Sequence, residues 1–434
     1  MQFTQMTTSA LAQSLKAQGI KRFYVMTLEN GEVIGSHPFL SEWIETLKAG
    51  HDFESHEGLF FEISDQYDVI HGAFVHRTCR GQAQGGTRFW QYPTFQDFAL
   101  DGIRLSKGMT HKNALAGLWW GGGKGVISRP ADQTLIQNQA FRKEIFAEYG
   151  RFISSLQGCY ITAEDVGTNT DDMGFIFSET RFITCIPPKV GGSGNPSSAT
   201  AMGVVKGMQA GLAHLQLGSL SGKKVVVQGV GNVGKVIVDL VLAQGAQVIA
   251  SDISESKCQA LRDEYQGKAI TFRYTPIDDF SILYEPCDIL CPAATGAVLN
   301  EKTIPLLNTK LVCGAANNQL KNPKQDGQLL ADRQITYLPD FLVNRMGIVN
   351  CCNEQYGYVD QDPSFLRHLS DEWEYSVYQT SLDVLRRAKD ENTHPHLAAV
   401  ALADERSRLL HPIWGHRGIA IIRTLKLKNW ALMN

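Results

Sequence analysis

The chain holds 434 residues, 43% hydrophobic and 20% charged, with a formal net charge of −3. That length accommodates two or three packed domains without disulfide staples, and the near-balanced charge argues against a nucleic-acid platform, which needs a basic excess. No apolar run approaches the roughly 20 residues of a membrane helix, and the opening MQFTQMTTSALAQSLKAQG lacks the basic and apolar regions of a secretory signal.

Residues 6–18 are helical in period. KRFYVMTLENGEVIGSHP reads as two strands around a turn at Asn30–Gly31. FLSEWIETLKAG reads as a helix that stops at a glycine. Residues 1–54 are thus expected as a small extension of their own, without a catalytic constellation. From there β-rich runs such as GLFFEISDQYDVIHGAFVHRT alternate with helical ones. The stretch from Tyr92 to Ala116 is helical, with Phe95, Phe98, Ala99, Ile103 and Leu105 on or near one side. A glycine-rich loop, GGGKG at 121–125, is expected next, followed by the helix FRKEIFAEYGRFISSL.

After SGNPSSATAMG the texture changes. A helix leads into strand, glycine turn, helix and strand, and then into short apolar strands, CDILCPAA, KLVCGAANN and ITYLPDFLVN, ending in small residues or Asn. A parallel sheet buried on both faces has this pattern, so the fold class is α/β. The end of the chain, from about 362, is helical and amphipathic. Nine cysteines, at 79, 159, 185, 258, 287, 291, 313, 351 and 352, are odd in number and contain no CxxC. They read as reduced thiols of a cytoplasmic protein, and their spacings do not match a zinc site, so no metal is expected.

VVVQGVGNVGKVIVDLV places Gly229-x-Gly231-x-x-Gly234 directly after a strand and at the start of a helix. The first glycine permits a sharp turn, the second a close approach of pyrophosphate, and the third tight helix–strand packing. The helix N-terminus offers its amides to the phosphates. Asp252 ends the second strand, 23 positions after Gly229, where a carboxylate accepts both adenosine ribose hydroxyls and repels a 2′-phosphate. The cofactor expected is NAD.

Lys112 and Lys124 lie twelve residues apart, and Asp165 precedes a glycine turn in ITAEDVGTNTDDMG. A lysine in an apolar glycine-rich setting loses solvation, and its pKa falls toward the range of a general base. A second lysine can grip a carboxylate, and an aspartate can exchange protons with an amine. Each residue also has a plainer reading, as a solvated surface charge or a turn cap.

Seven stretches occur in order: QAQGGTRFW, LSKGMTHKNALAGLWWGGGKGVI, ITAEDVGTNTDDM, SGNPSSATAMGV, VVVQGVGNVG, GAANNQL and LPDFLVNRMGIVN. Together, from about Leu59 to Tyr358, they resemble the glutamate/leucine/phenylalanine/valine dehydrogenase family, most closely its leucine dehydrogenase branch. The resemblance implies a substrate-binding and oligomerisation domain over 55–184, a Rossmann domain over 185–354, a cleft between them, and a C-terminal helical segment, 355–434, packing back on the substrate domain. It implies that Lys124 and Asp165 are catalytic and that Lys112 binds the substrate carboxylate. It sets Gln84, Gly85, Met109, Ile348 and Cys351 at the substrate and Asn317 near both substrate and nicotinamide. Thr200, Val230, Asn232, Val233, Ile253, Ala293, Ala294 and Asn344 join Gly229, Gly231, Gly234 and Asp252 at the dinucleotide.

Three features depart from the family pattern. Gln84 stands where glutamate-specific members carry lysine and leucine-type members an apolar residue. Arg345 and Met346 replace the Ala and first Gly of an Asn-Ala-Gly-Gly segment, so they are expected to crowd the pocket or nicotinamide, or Arg345 to bind an acidic substrate group. Trp119 and Trp120 either pack in the core or shape a bulky pocket. The resulting expectation is an NAD-dependent, oligomeric enzyme that reversibly deaminates an uncharged L-amino acid, aliphatic or bulky, to a 2-oxo acid and ammonia. The alternatives are a non-catalytic dinucleotide-binding relative with its pocket altered by Arg345 and Met346, or a dehydrogenase with a polar or acidic substrate. No nucleic-acid or membrane partner is expected.

Overall fold

The structure is a computed structural model that describes residues 3–54, 56–355, 357 and 361–432. It divides into two units: residues 1–195, 354–358 and 405–434 form the first, and 196–353 with 359–404 the second.

The first unit is built on a mixed eight-stranded sheet, β1 (Arg22–Thr27), β2 (Val33–Gly35), β3 (Gly58–Ile63), β4 (Ile70–Arg77), β5 (Ala83–Gln84), β6 (Thr87–Trp90), β7 (Gly121–Ser128) and β8 (Tyr160–Ile161). The order is β2-β1-β3-β4-β7-β5-β8, with β6 also pairing β7. Helices α1 (Thr8–Ala17), α2 (Ser41–Ala49), α3 (Phe95–Leu115), α4 (Gln139–Ser155) and α5 (Thr170–Phe177) accompany it. The 21-residue α3 starts at a capping box, in which the Thr94 hydroxyl accepts from Asp97 N–H and the Asp97 carboxylate accepts from Thr94 N–H. Its apolar side lies on the sheet through Phe95, Phe98 and Ile103, in one core with Phe61 and Phe74.

Two expectations are corrected here. The opening 54 residues do not form a separate unit: β1 pairs antiparallel with β3 from Arg22↔Glu62 to Met26↔Gly58, and Leu11, Leu15 and Trp43 join the α3 core. GGGKG is not a loop but the start of β7, whose eight residues are all buried. Neighbours occupy the space that side chains would fill. A Cβ at Gly122 would lie 2.2 Å from the Thr110 amide nitrogen of α3, and one at Gly121 2.2 Å from the Arg77 carbonyl oxygen. These glycines let helix and strands close on β7, and this tertiary packing outweighs glycine's poor strand propensity.

The second unit carries a wholly parallel sheet: β9 (Lys224–Gln228), β10 (Gln247–Asp252), β11 (Ile270–Tyr274), β12 (Ile289–Pro292), β13 (Leu311–Val312) and β14 (Thr336–Tyr337). Its order, β11-β10-β9-β12-β13-β14, is 3-2-1-4-5-6 when counted from β9. That is the doubly wound order whose switch point lies between its first and fourth strands. The helices are α6 (Ser197–His214), α7 (Asn232–Ala243), α8 (Glu255–Glu264), α9 (Pro323–Asp332), α10 (Asp340–Val343), α11 (Met346–Gln355), α12 (Pro363–Leu366), α13 (Val377–Asp390) and α14 (Pro395–Ser407), the ends of α11 and α14 belonging to the first unit. Residues 359–404 belong to this second unit and α13 packs on α6. The expected return of the whole 355–434 segment to the first unit is therefore corrected: from Glu405 on, including α15 (Arg417–Leu427), the chain belongs there, and residues 359–404 do not. No helix among the described residues is long and apolar enough to cross a membrane.

Candidate active site

Lys124 sits in the middle of β7, opposite Phe74 of β4, and is 5% exposed. Alternation along a strand puts Gly122 and Lys124 on one face. Gln84 pairs with Gly122, so Gln84 shares that face, the one α3 covers through Thr110. The Lys124 ammonium hydrogen-bonds and ion-pairs with the Asp165 carboxylate. Burial lowers the pKa of Lys124, with Asp165 opposing that shift. For Asp165, burial works to raise the pKa but is outweighed by Lys124 and Arg88, which hold it down to about 2.

Asp165 follows β8 in a turn closed by Thr168, whose hydroxyl accepts from Asp165 N–H at 2.9 Å and donates to the Asp165 carbonyl at 2.7 Å. Gly86 makes room for this turn, since a Cβ there would lie 2.9 Å from the Asp165 Cβ. At Gly85 a Cβ would meet the Gly123 carbonyl at 1.8 Å and the Met109 side chain at 3.1 Å. Met109 and Lys112, three residues apart, lie on one side of α3, and both are half-buried. The first unit thus gathers Gln84, Gly85, Met109, Lys124 and Asp165 where β5 lies beside the first half of β7, with Lys112 one helical turn beyond Met109.

Arg88 and Thr168 were not singled out from the sequence. Arg88 approaches Asp165 at 3.7 Å and forks both oxygens of Asp101 at 3.0 Å. It lies inside the quoted QAQGGTRFW, but nothing local there distinguishes it from a surface arginine. Gln84 is fully buried, and neither its carbonyl oxygen nor its amide nitrogen has a hydrogen-bond partner. Of the two tryptophans, Trp120 is buried. Trp119 lies under the Arg80 guanidinium at 4.2 Å and edge-on to His411 at 5.5 Å, which is a packing contact.

In the second unit the glycine turn follows β9 at the switch point. Gly229 has φ of +92°, and a Cβ there would strike Ala294 at 2.6 Å; at Gly234 it would lie 2.0 Å from the Gly229 carbonyl. A Cβ on Gly231, in contrast, would meet nothing within 4 Å. Gly231 is the N-cap of α7 and has no side chain to bond the first amides of the helix. Ala293 and Ala294 flank this turn, Val230 is buried beneath it, and Asn232 and Val233 open the helix. Asp252, at the end of β10, accepts from Lys257 Nζ at 2.9 Å and Val230 N–H at 3.4 Å, and the next residue, Ile253, is largely exposed. Asn344 donates to Asn317 Oδ1 at 2.8 Å and keeps a buried, unpartnered carbonyl oxygen. Thr200 opens α6 close to Gly347, whose Cβ would lie 2.6 Å from its hydroxyl. Ile348 and Cys351 are buried in α11.

The expected crowding by Arg345 and Met346 does not occur, because both side chains turn into the interior of the second unit and are fully buried. The Arg345 guanidinium donates to the Tyr375 carbonyl at 2.5 Å and to Thr380 Oγ1 at 3.1 Å. Met346 lies over Gly203 of α6. Arg345 thus anchors the segment before α13 and α13 itself, which explains why it need not reach an acidic substrate group.

Comparisons with known proteins place these features. Residues 60–182 match the family model "Glu/Leu/Phe/Val dehydrogenase, dimerisation domain", and residues 191–406 match "Glutamate/Leucine/Phenylalanine/Valine dehydrogenase". A leucine dehydrogenase of Geobacillus stearothermophilus is 40% identical over 333 residues, covering 76% of this chain and 85% of the relative. A valine dehydrogenase of Streptomyces albus is 38% identical over 333 residues, covering 76% and 86%. The crystal structure of L-tryptophan dehydrogenase from Nostoc punctiforme superposes with a TM-score of 0.67 at 31% identity, covering 84% of this chain and 98% of that one. The two units define the class first: this is the two-domain amino acid dehydrogenase fold, with a Rossmann-type second unit. The chain belongs to the Glu/Leu/Phe/Val dehydrogenase family, and it is an amino acid dehydrogenase, an oxidoreductase.

Proposed function

We propose that this enzyme catalyses the reversible, NAD-dependent oxidative deamination of an uncharged L-amino acid, aliphatic or bulky, to its 2-oxo acid and ammonia. The observation that carries the reading is the ion pair between Lys124, buried in β7 among glycines at 121–123 and 125, and the half-buried Asp165 of the turn after β8. The names of the relatives, leucine and valine dehydrogenase, support an uncharged substrate, as does a glutamine rather than a lysine at position 84.

In this mechanism Lys112 holds the substrate carboxylate. Asp165, ionised near neutrality, takes a proton from the α-ammonium, which frees the nitrogen lone pair. Gly229, Gly231, Gly234, the first amides of α7 and Asp252 are the residues that would hold NAD, which would supply the hydride acceptor for Cα. Lys124, its pKa lowered by burial, removes a proton from the water that adds to the iminium carbon, and its charged form steadies the oxygen that develops there. Asp165 then gives its proton to the carbinolamine nitrogen, and as ammonia leaves and the C=O bond forms, the hydroxyl proton passes to the freed Asp165 carboxylate. Thr200, Asn317 and Asn344 are assigned to the nicotinamide, and Ile348 and Cys351 to the substrate side chain. The Asp252 carboxylate disfavours a 2′-phosphate and so favours NAD over NADP. A homo-oligomer fits the dimerisation description of the first family model, and nine cysteines outside any disulfide fit a reducing compartment.

The test is NADH consumption with ammonia and a panel of 2-oxo acids. Turnover with branched or bulky uncharged 2-oxo acids is expected. Lys124→Ala should lower kcat by about 10²–10⁴-fold or more with the melting temperature retained. NADH binding without turnover on any 2-oxo acid overturns the proposal, and wild-type turnover in Lys124→Ala removes that residue from the mechanism.

A further inference from the structure

Glu57, Cys79 and His416 are 22 to 359 residues apart in sequence and meet in the first unit. One potential ligand atom from each lies within 4.8 Å of the others. His416 Nε2 is 3.1 Å from Glu57 Oε1. Glu57 is buried, and Cys79 and His416 are half-exposed, so the cluster opens to solvent on one side.

The three residues are held from outside the cluster. Glu57 directly precedes β3, and its carboxylate accepts from Thr78 N–H at 2.8 Å and from the Thr78 hydroxyl. Cys79 lies two residues past β4, and its carbonyl accepts from His411 N–H at 2.9 Å. Gly418, in the first turn of α15, presses on Thr78 so closely that a Cβ there would lie 2.3 Å away. That approach brings His416 over the end of β4. Arg77 Nη1 donates to Ser407 Oγ at 2.5 Å and Arg80 Nη1 to the Arg406 carbonyl at 3.1 Å, which fixes the path of the returning chain.

We propose that Glu57, Cys79 and His416 form a three-ligand site for a zinc-like divalent cation that fastens the C-terminal segment to the first unit. A thiolate, an imidazole and a carboxylate are the donor set of Zn²⁺, and bond lengths of about 2.0–2.3 Å at tetrahedral angles put ligand atoms roughly 3.3–3.7 Å apart. Shifts of about 1 Å or less bring this cluster to those spacings. Thr78 orients the Glu57 carboxylate as outer-shell partners of metal ligands do, and the exposed side leaves the fourth position to water. Two of the ligands, Glu57 and His416, lie outside the stretches 60–182 and 191–406 that match the family models. The complete ligand set is therefore not covered by the family models, and the proposal does not depend on the reaction proposed above.

The experiment strips the full-length protein with EDTA, adds zinc chloride, desalts, and measures zinc per chain by plasma mass spectrometry, with Cys79→Ser and His416→Gln alongside. Wild type should retain one equivalent, and each variant should bind zinc at least about 100-fold more weakly in a chelator competition. Both substituted side chains are half-exposed, and both variants should melt near the wild type in EDTA. Zinc should raise the melting temperature of the wild type alone. With cobalt(II), the thiolate charge-transfer band should appear in the wild type and be absent in Cys79→Ser. No retained zinc in the wild type, or equal retention in both variants, overturns the proposal. If Cys79→Ser fails to fold, His416→Gln and the cobalt spectrum of the wild type decide in the same sense.

Discussion

A buried carboxamide without hydrogen bonds costs about 1–3 kcal/mol for each unmet group, and Gln84 leaves both of its polar atoms unmet. The side chain lies on the same sheet face as Lys124, two strand positions from it through the Gly122 pairing. A substrate side chain that reaches this face can satisfy the amide or leave it unpaired, and that difference is a specificity term. Gln84→Met keeps the volume and removes both polar atoms. We predict a higher melting temperature and a shift of about tenfold in kcat/KM toward purely aliphatic side chains relative to hydrogen-bonding ones. Thermal melts and a paired substrate series check this, and an unchanged ratio with an unchanged melting temperature places Gln84 outside the substrate pocket. Lys124 and Asp165 were singled out through the motifs that carry the family resemblance, and the structure brings their side chains together. Arg88 was not, since its importance lies in standing 3.7 Å from a residue 77 positions away.

At the scale of elements, glycines do two different jobs, and substitution separates them. In β7 the space beside Gly122 is filled by the Thr110 backbone of α3, which cannot move without the helix. Gly122→Ala is expected to cost about 1–3 kcal/mol or more, as overpacking does, and to lower the melting temperature by several degrees. At Gly231 the space is open, so Gly231→Ala should leave the melting temperature unchanged and weaken NADH binding, read by fluorescence titration. If instead Gly122→Ala melts as the wild type and Gly231→Ala destabilises the fold, these assignments are reversed. The glycine turn between β9 and α7 was readable beforehand because strand, glycines, helix and Asp252 follow one another locally. The strand character of GGGKG was not, because glycine carries no periodic signal, and the helix that lies against it is recognisable only once the chain is folded. The same limit hid the addition of β1 and β2 to the sheet and the inward turn of Arg345. Both are settled by partners more than 25 residues away, Glu62 and neighbours in one case and Tyr375 and Thr380 in the other.

For the whole molecule, the buried histidines set the response to acid. Burial pushes His56 down to about 4 and His71 to about 3. His71 is enclosed by Tyr149 and Phe152 with neither ring nitrogen hydrogen-bonded, so its neutral form is the one that packs. In the unfolded chain a histidine binds its proton near 6.5. Both groups therefore contribute their full stability above that value and lose it as the pH falls from about 6.5 toward the folded values, since the unfolded state takes up protons first. The slope approaches 1.4 kcal/mol per pH unit for each histidine in that window. His71→Phe keeps an aromatic ring in the same surroundings and removes one titrating group. Denaturant unfolding of wild type and His71→Phe between about pH 8 and pH 4.5 should show the variant losing stability less steeply, by about 1.4 kcal/mol per pH unit below about pH 5.5, with the two curves parallel above about pH 7. Parallel curves over the whole range mean that the acid sensitivity resides in other groups. Of those, His56 is the first to test, because its ring stacks on Phe53 and its Nε2 reaches the Ile103 carbonyl at 3.0 Å, a hydrogen bond that leaves it less deeply shifted than His71.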